Sequence, residues 1–564
     1  MALGPCAEAA KFSGHDNDET ASDEADDHGG PSFVQYSAGK IADDLEELKG
    51  NVNNPAPVSQ NGTALQTGRL LPRGQECDKK AIIRNPALGS STILDLPTEL
   101  LLRIFRWLSK RETWSDANET KWNFSRLPNQ GIKNVRLSCK LFGEVASEFL
   151  IDHVRIYVSE RSLAHFEEIC RHPRISRCIR AVEVCLAQYD IAMANDLALF
   201  TGDFIDELDR QRSGTPEEIY KAQAIANTWR RALKAYESGH YITLDNFGTE
   251  AIGYIKALEE GYDGYCHNYE KQQILLQEGS FTSRLAAAMA ELQQAKHLEV
   301  SDWDFVHWGH HWQGNRRLDV SNNSSLSHSL SNWRIPFSEV QGYELLPTIP
   351  DLLCKLHPAG RSITSLSFDI SRSFNDSYLQ FSLPEHQQEQ LSLALKELRS
   401  FRFEHRGIIA LTPKAFRALS CFLNACLKSN KLECLVINAG HWSEHSTSLI
   451  STRSWPKLRH VVLERFGITE RDLDLLTEAS PSWTEGQLVL DEIRLVSGTW
   501  ASVLDVLRQR RIRLSLGYSG GAECDTRGHT WACDIFCKRD DGHGPSLAEL
   551  YVRGEDMPNP IQPL

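Results

Sequence analysis

Residues 458–463 read LRHVVL, with apolar side chains at Leu458, Val461 and Leu463, and this short pattern recurs through the last third of the chain. LECLVI carries it at Leu432, Leu435 and Ile437; LRSFRF at Leu398, Phe401 and Phe403; SITSLSF at Ile363, Leu366 and Phe368; LDEIRL at Leu490, Ile493 and Leu495. Apolar residues two apart on a short run line one side of a strand. Their last apolar positions are separated by roughly 26–35 residues, near the range of stacked repeat proteins. AKHLEV, with Ala295, Leu298 and Val300, is a weaker early copy.

Amphipathic helix candidates fill the intervals: TPKAFRALSCFLNACLKSN, TERDLDLLTEAS and TWASVLDVLRQ. One strand and one helix cannot bury an apolar side alone, so neighbouring units must stack into a continuous core. The pattern resembles an irregular leucine-rich-repeat-like α/β solenoid, without the regular asparagine of the best-kept repeats and with uneven spacing. An ordinary α/β domain of parallel strands is the alternative. Upstream, HVRIYVS alternates through Val154, Ile156 and Val158 as a strand does, and RSLAHFEEICRHP reads as a helix. From about residue 192 to 296 the chain is rich in Ala, Glu and Gln, and several helices are expected there.

The chain has 564 residues, 41% hydrophobic and 24% charged, a globular composition for two to four domains. A formal charge of −14 argues against a general nucleic-acid binder, which needs a basic stripe. No stretch approaches the roughly 18–20 consecutive apolar residues of a membrane span. The opening MALGPCAEAAKFSGHDNDE has neither a basic start nor an apolar h-region. These features predict a soluble intracellular protein of the cytoplasm, the nucleus or both, with its 14 scattered cysteines as free thiols. Residues 1–90 read as a disordered acidic and polar tail, since DNDETASDEADD packs seven carboxylates between Asp16 and Asp27 with no base among them.

Residues 91–114, STILDLPTELLLRIFRWLSKRETW, hold the densest apolar helix. At 100° per residue, Trp107, Leu100, Ile104, Leu108, Leu101 and Phe105 cover an arc of about 160°, and Leu102 extends it, whereas one core-facing stripe spans around 100°. Pro97 suits the first helical position. IKNVRLSCKLFGEVASEFLID reads as a second helical run, with Val135, Cys139, Phe142, Ala146, Phe149 and Leu150 on one side and Leu137 and Leu141 on another. Leu96-Pro97, Glu99-Leu100-Leu101, Ile104-Phe105 and Leu108, followed by Val135 to Lys140 and Phe142, resemble the F-box motif of fungal F-box proteins. The 25-residue link KRETWSDANETKWNFSRLPNQGIKN departs from the usual short connection.

The resemblance implies a substrate-receptor subunit of a cullin-RING (SCF-type) ubiquitin ligase. Such a subunit docks a Skp-family adaptor and presents a protein substrate for ubiquitination, without catalytic residues or a cofactor of its own. Leu96, Pro97, Leu100, Leu101, Ile104, Phe105, Leu108, Leu137 and Lys140 would stand at or near the adaptor. The implied division is an F-box at 91–155, a helical and leucine-rich-repeat-like substrate-recognition region at 156–550, and a tail at 551–564. A repeat scaffold with an F-box-like fold acting outside ubiquitination is the second reading.

Two clusters bear on binding. WDFVHWGHHWQGNRRLDVSNN places Trp303, Trp308 and Trp312 among His307, His310 and His311, and aromatic side chains after a strand suit a substrate-reading loop. CDTRGHTWACDIFCKRDDGH supplies Cys524, His529, Cys533, Cys537 and His543, donors that suit zinc, but at a spacing that matches no common knuckle. No metal is expected. No phosphate loop, nucleophile elbow or zinc-protease helix occurs.

Overall fold

A computed structural model describes residue 93 and residues 96–109, 130–149, 151–211, 214–238, 247–302, 318–334, 347–370, 381–405, 412–442, 455–478, 486–537 and 544–562. The acidic tail, most of the F-box link and the Trp303, Trp308 and Trp312 loop lie outside the described residues.

Three short helices come first: α1 (Thr98–Ser109), α2 (Gln130–Ser138) and α3 (Lys140–Ala146), closed by a 3-10 turn at Ser147–Phe149. The expected second helical run is therefore two helices. Cys139 sits between them in extended backbone (φ −163°), and its Sγ accepts from Phe142 N at 3.4 Å as the cap of α3. The Ser138 hydroxyl also donates back to Asn134 O, a bond that competes with helix continuation. Pro97 is the cap rather than the first helical residue, because its carbonyl accepts from Leu100 N and Leu101 N.

Then strands and helices alternate. β1 (His153–Tyr157), α4 (Glu160–Arg171) and β2 (Ala181–Cys185) lead into α5 (Ile191–Asn195), α6 (Leu197–Arg210), α7 (Pro216–Glu237), α8 (Thr249–Gln277) and α9 (Ser280–Glu291). Next come β3 (His297–Ser301), α10 (Asn323–Ser331), α11 (Thr348–Leu356), β4 (Ser365–Ile370), α12 (Glu385–Ala394), β5 (Ser400–His405), α13 (Pro413–Cys426) and β6 (Cys434–Trp442). The last third adds β7 (His460–Thr469), α14 (Glu470–Glu478), β8 (Gln487–Asp491), β9 (Ile493–Ser497), α15 (Trp500–Gln509), β10 (Leu514–Leu516) and β11 (Ser519–Gly521). It ends with α16 (Glu523–Arg527), α17 (His529–Phe536) and α18 (Leu547–Val552).

The result is a mixed α/β fold around one parallel sheet whose strands stand in chain order, β1 to β8 and then β10; β9 leaves this path to pair with β7 and β11. Its register lines up the repeated positions. Val184, Val300, Phe368, Phe403, Ile437, Leu463, Leu490 and Leu516 are shoulder to shoulder across successive strands. All eight are buried in one continuous core with the helices α4, α9, α11, α12, α13 and α15. Ile437, Leu463, Leu490 and Leu516 recur every 26 or 27 residues.

Two strands differ from expectation. LDEIRL is not one copy: the backbone turns at Glu492 (φ 49°), so Leu490 belongs to β8 while Ile493 and Leu495 belong to β9. AVEVC, too short to stand out by pattern, is β2, and it pairs with both β1 and β3.

Between β2 and β3 the chain inserts a helical layer whose core of Phe200, Phe204, Trp229, Tyr254, Leu258 and Tyr265 is completed by Leu326 and Leu330 of α10, which follows β3. Gln272 on α8 ties it to the sheet, accepting from Tyr189 N (3.2 Å) and donating to Val158 O (2.9 Å). Helices α8 and α10 touch closely because Gly261 has no side chain; a Cβ there would stand 2.6 Å from Leu330 Cβ. Gly261→Val should therefore cost about 1–3 kcal/mol through overpacking, read as a lowered urea midpoint. An unchanged midpoint would show that the two helices separate freely.

Residues 551–562 are packed rather than part of a tail at 551–564. Glu549 caps α18 with Ser546 and accepts from Leu516 N at 2.7 Å, fixing the last ladder strand. Asn559 and Ile561 are buried, and Asn559 donates to Ala501 O and Asp505 Oδ1.

Candidate functional site

Two surfaces concentrate the unusual side chains. The first is the three-helix module. Leu101 (0% exposed), Phe105 (1%), Ile132, Val145 and Ala146 form its core, and Phe105 meets Phe142 edge-on at 5.2 Å. Leu101 and Phe105 are thus inside the module, a correction to their expected place at a partner: the α2–α3 pair covers the side of α1 that carries them. Leu96 and Ile104 are half-buried against the same core, and Pro97 and Lys140 are exposed. Leu100 remains 43% exposed and Leu137 86% exposed. The Leu108 side chain is outside the described residues.

Large apolar side chains scattered singly on a surface need no explanation, but two on one small module whose core is already filled are surplus to folding. Leu137 is exposed because the break at Cys139 ends α2 just beyond it. A continuous helix was the sequence reading, and only the cap geometry revealed the break.

The second surface is the face of the sheet opposite the helices. Strand side chains alternate, so the residues between the core positions share this face. One row crosses β1 to β5 as Arg155, Glu183, Glu299, Ser367 and Arg402, and continues as the apolar Val436, Val462 and Val489. The next row crosses β4 to β8 as Asp369, Glu404, Asn438, Glu464 and Asp491. Arg155 bridges Glu183 at 2.6 Å, Arg402 pairs with Glu404, and Asn438 donates to Glu464 at 2.8 Å. Gly517 leaves room for the last carboxylate, since a Cβ there would stand 1.7 Å from Asp491 Oδ1.

Crowding perturbs these acids. Burial, with Glu183 and Asp369 nearby, pushes the Glu299 carboxyl up to about 8 from an ordinary 4.5, against the pull of Arg155 and Arg402. Burial also raises Glu464, helped by Glu404 and Asp491, and raises Asp491, helped by Glu492. Carboxyls perturbed together on one surface are a mark of functional sites. Sequence reading missed the row, though its signal was legible in four copies: the residue after the last apolar position is Asp369, Glu404, Asn438 or Glu464, whereas Asp491 follows the first apolar position of LDEIRL.

A pH effect follows. From about pH 4.5 to about pH 8 the folded chain holds a proton on Glu299 that the unfolded chain has released. This contribution to stability therefore declines as pH rises through that window. His297 and His405, pushed down to about 4 chiefly by burial, act oppositely: their stabilisation is present above 6.5 and lost as pH falls toward 4. Glu299→Gln removes only the first effect, so the variant's urea midpoint should gain on the wild type's between pH 5 and pH 8. A constant difference across that range would remove Glu299 as the titrating group.

His529 Nδ1 and Cys533 Sγ are 3.1 Å apart on α17, and His543 is outside the described residues. Among the described residues no three His, Cys, Asp or Glu side chains are placed to hold a metal ion. Burial pushes the Cys524 thiol up to about 12, and burial together with Cys533 pushes Cys537 up to about 11. Among the described residues no helix is long and apolar enough to cross a membrane.

No protein-family model matches the chain, and no curated protein sequence matches it.

Proposed function

We propose that this chain is an F-box-type substrate receptor: the module of α1 to α3 docks a Skp-family adaptor, and the rest of the chain holds a protein substrate for ubiquitination by a cullin-RING ligase. The observation that carries this reading is the pair of exposed leucines, Leu100 and Leu137, on a module whose own core is filled by Leu101, Phe105, Ile132, Val145 and Ala146. The adaptor surface then comprises Pro97, Leu100, Leu137 and Lys140, with Leu96 and Ile104 at its edge. The receptor needs no catalytic group; it raises the effective concentration of substrate near another subunit's thioester.

The strands in chain order, the helices over one face and the 26 or 27-residue interval of the last units support reading the remainder as a leucine-rich-repeat-like solenoid. Such an array offers a long strand face to a partner. The decisive experiment is co-expression of the full chain with a Skp-family adaptor and isolation of the pair. A one-to-one complex stable through gel filtration supports the reading, and a folded chain that retains no adaptor at micromolar concentration ends it.

A further inference from the structure

We infer that the edge of the sheet where its strands begin binds an acidic protein segment, whose carboxylates meet a row of exposed arginines and lysines. The chemistry of this contact is independent of the receptor reading; calling the segment a substrate rests on that reading.

The chain as a whole carries a formal charge of −14. Yet the short segments that enter β2 to β7 and β10 (residues 172–180, 292–296, 357–364, 395–399, 427–433, 455–459 and 510–513) hold fourteen Lys and Arg against two carboxylates. Backbone hydrogen bonds set these segments side by side. Lys296 N donates to Arg180 O (3.0 Å), Thr364 N to Lys296 O (2.9 Å) and Arg399 N to Thr364 O (2.8 Å). Glu433 N then donates to Arg399 O (2.7 Å) and Arg459 N to Glu433 O (2.9 Å). At about 4.8 Å per strand the row is about 24 Å long, the reach of about seven extended residues.

The bases are accessible and lack counter-charges. Arg174, Arg177, Arg180, Lys428, Lys457 and Arg511 are exposed and form no ion pair among the described residues. Arginine does not lose its proton in proteins, so this charge is permanent. The two carboxylates are already engaged, Glu397 by Lys431 and Glu433 by both Arg459 (3.0 Å) and Arg399 (3.6 Å). Glu183 and Glu299 stand three residues along their strands from Arg180 and Lys296. That is about 10 Å away, beyond the screening length of about 8 Å at physiological salt.

Helix ends do not account for the row. A base just past a helix answers the negative end of its dipole, and Lys396 and Lys428, next to the caps Leu395 and Leu427, fit that role. The effect fades within one turn. Arg180, Lys296 and Arg399 are placed beyond it, each directly before its strand.

The kind of anion follows from what the edge lacks. Trp455, the one Trp, Tyr or Phe in these segments, is buried, and none of the exposed large apolar side chains is in them. Single-stranded nucleic acid needs aromatic platforms for its bases, and a membrane needs apolar side chains to insert. An acidic peptide needs neither: its carboxylates alone match guanidinium and ammonium groups.

The test uses the full chain and a fluorescein-labelled nona-glutamate peptide, read by fluorescence anisotropy at about 50 mM and about 300 mM salt. Expected is micromolar binding at low salt that weakens at high salt. The variant Arg177→Gln, Arg180→Gln, Lys428→Gln, Lys457→Gln should weaken it at least about ten-fold. Removing as many exposed bases from α7, α8 and α13 (Lys234→Gln, Lys256→Gln, Lys271→Gln, Lys414→Gln) should leave it unchanged. Melting curves verify folding; were the edge variant unfolded, Arg174→Glu with Lys428→Glu decides in its place. Undiminished binding by the edge variant, equal loss in the control variant, or no wild-type binding at low salt each overturns the inference. So does tighter binding of a labelled nine-thymidine single strand than of the peptide. Adaptor capture by the same preparation keeps the two ideas apart. Capture without peptide binding ends only this inference, and peptide binding without capture ends only the receptor reading.

Discussion

Replacing Leu100 and Leu137 together by aspartate is expected to abolish capture of a Skp-family adaptor while leaving the melting temperature of the chain unchanged. Burying a large aliphatic side chain contributes about 1.5–3 kcal/mol. Leu137 is 86% exposed and contributes nearly its full share on docking, whereas Leu100, at 43%, contributes about half of its own. Together they account for about 3 kcal/mol, or roughly a hundred-fold in Kd, before the added cost of desolvating two carboxylates. Since neither side chain is in the module's core, folding should not notice the change. Leu101→Asp is the contrasting variant: a charge forced into a fully buried apolar site unfolds the module, so its loss of capture carries no information about the interface. Titration calorimetry with purified adaptor reads the first effect. Unaltered affinity in the double variant would remove these leucines from the docking surface.

The second large effect is expected at Phe368. Its ring meets Phe401, Phe403 and Phe422 edge-on, with centroids 6.0, 6.2 and 5.7 Å away. Phe422 in turn packs on Phe381 at 4.6 Å. Phe368→Ala removes the central ring and leaves a cavity between β4, β5 and α13, with a cost of about 3–5 kcal/mol, at the upper end because the aromatic contacts are lost as well. Ser367→Ala, one residue earlier and on the opposite face, should change stability by no more than about 0.5 kcal/mol. Urea midpoints for the two variants check both statements. If both shifted alike, the assignment of faces along β4 would be wrong.

Much of the sheet was legible because a strand's period of two is strict. Phe401 and Phe403, or Val461 and Leu463, need only alternate to declare a buried side, and five units repeat it. LDEIRL misled because apolar spacing carries no record of backbone direction: the left-handed turn at Glu492 divides what reads as one unit into two strands. β2 escaped because five residues make a weak pattern and its ladder partner β3 follows only after the whole helical insertion. On the candidate sites, the apolar surplus of α1 was evident in its wide arc, but its sorting was not. A helix with apolar side chains over 160° does not say which of Leu100 and Leu101 faces inward.

The amino-acid sequence by itself determined the alternation of strands and helices in the last third, the core-facing side of β1 and of β3 to β7, and the presence of an overly apolar helix near residue 100, since local periodicity dictates all three. Tertiary structure alone decided that Leu101 and Phe105 turn inward while Leu100 and Leu137 stay out, because that depends on where α2 and α3 pack. It alone brought Glu183 beside Glu299 and Glu464 beside Asp491, because strand register joins residues far apart in the chain and a carboxylate's cost depends on its neighbours in space.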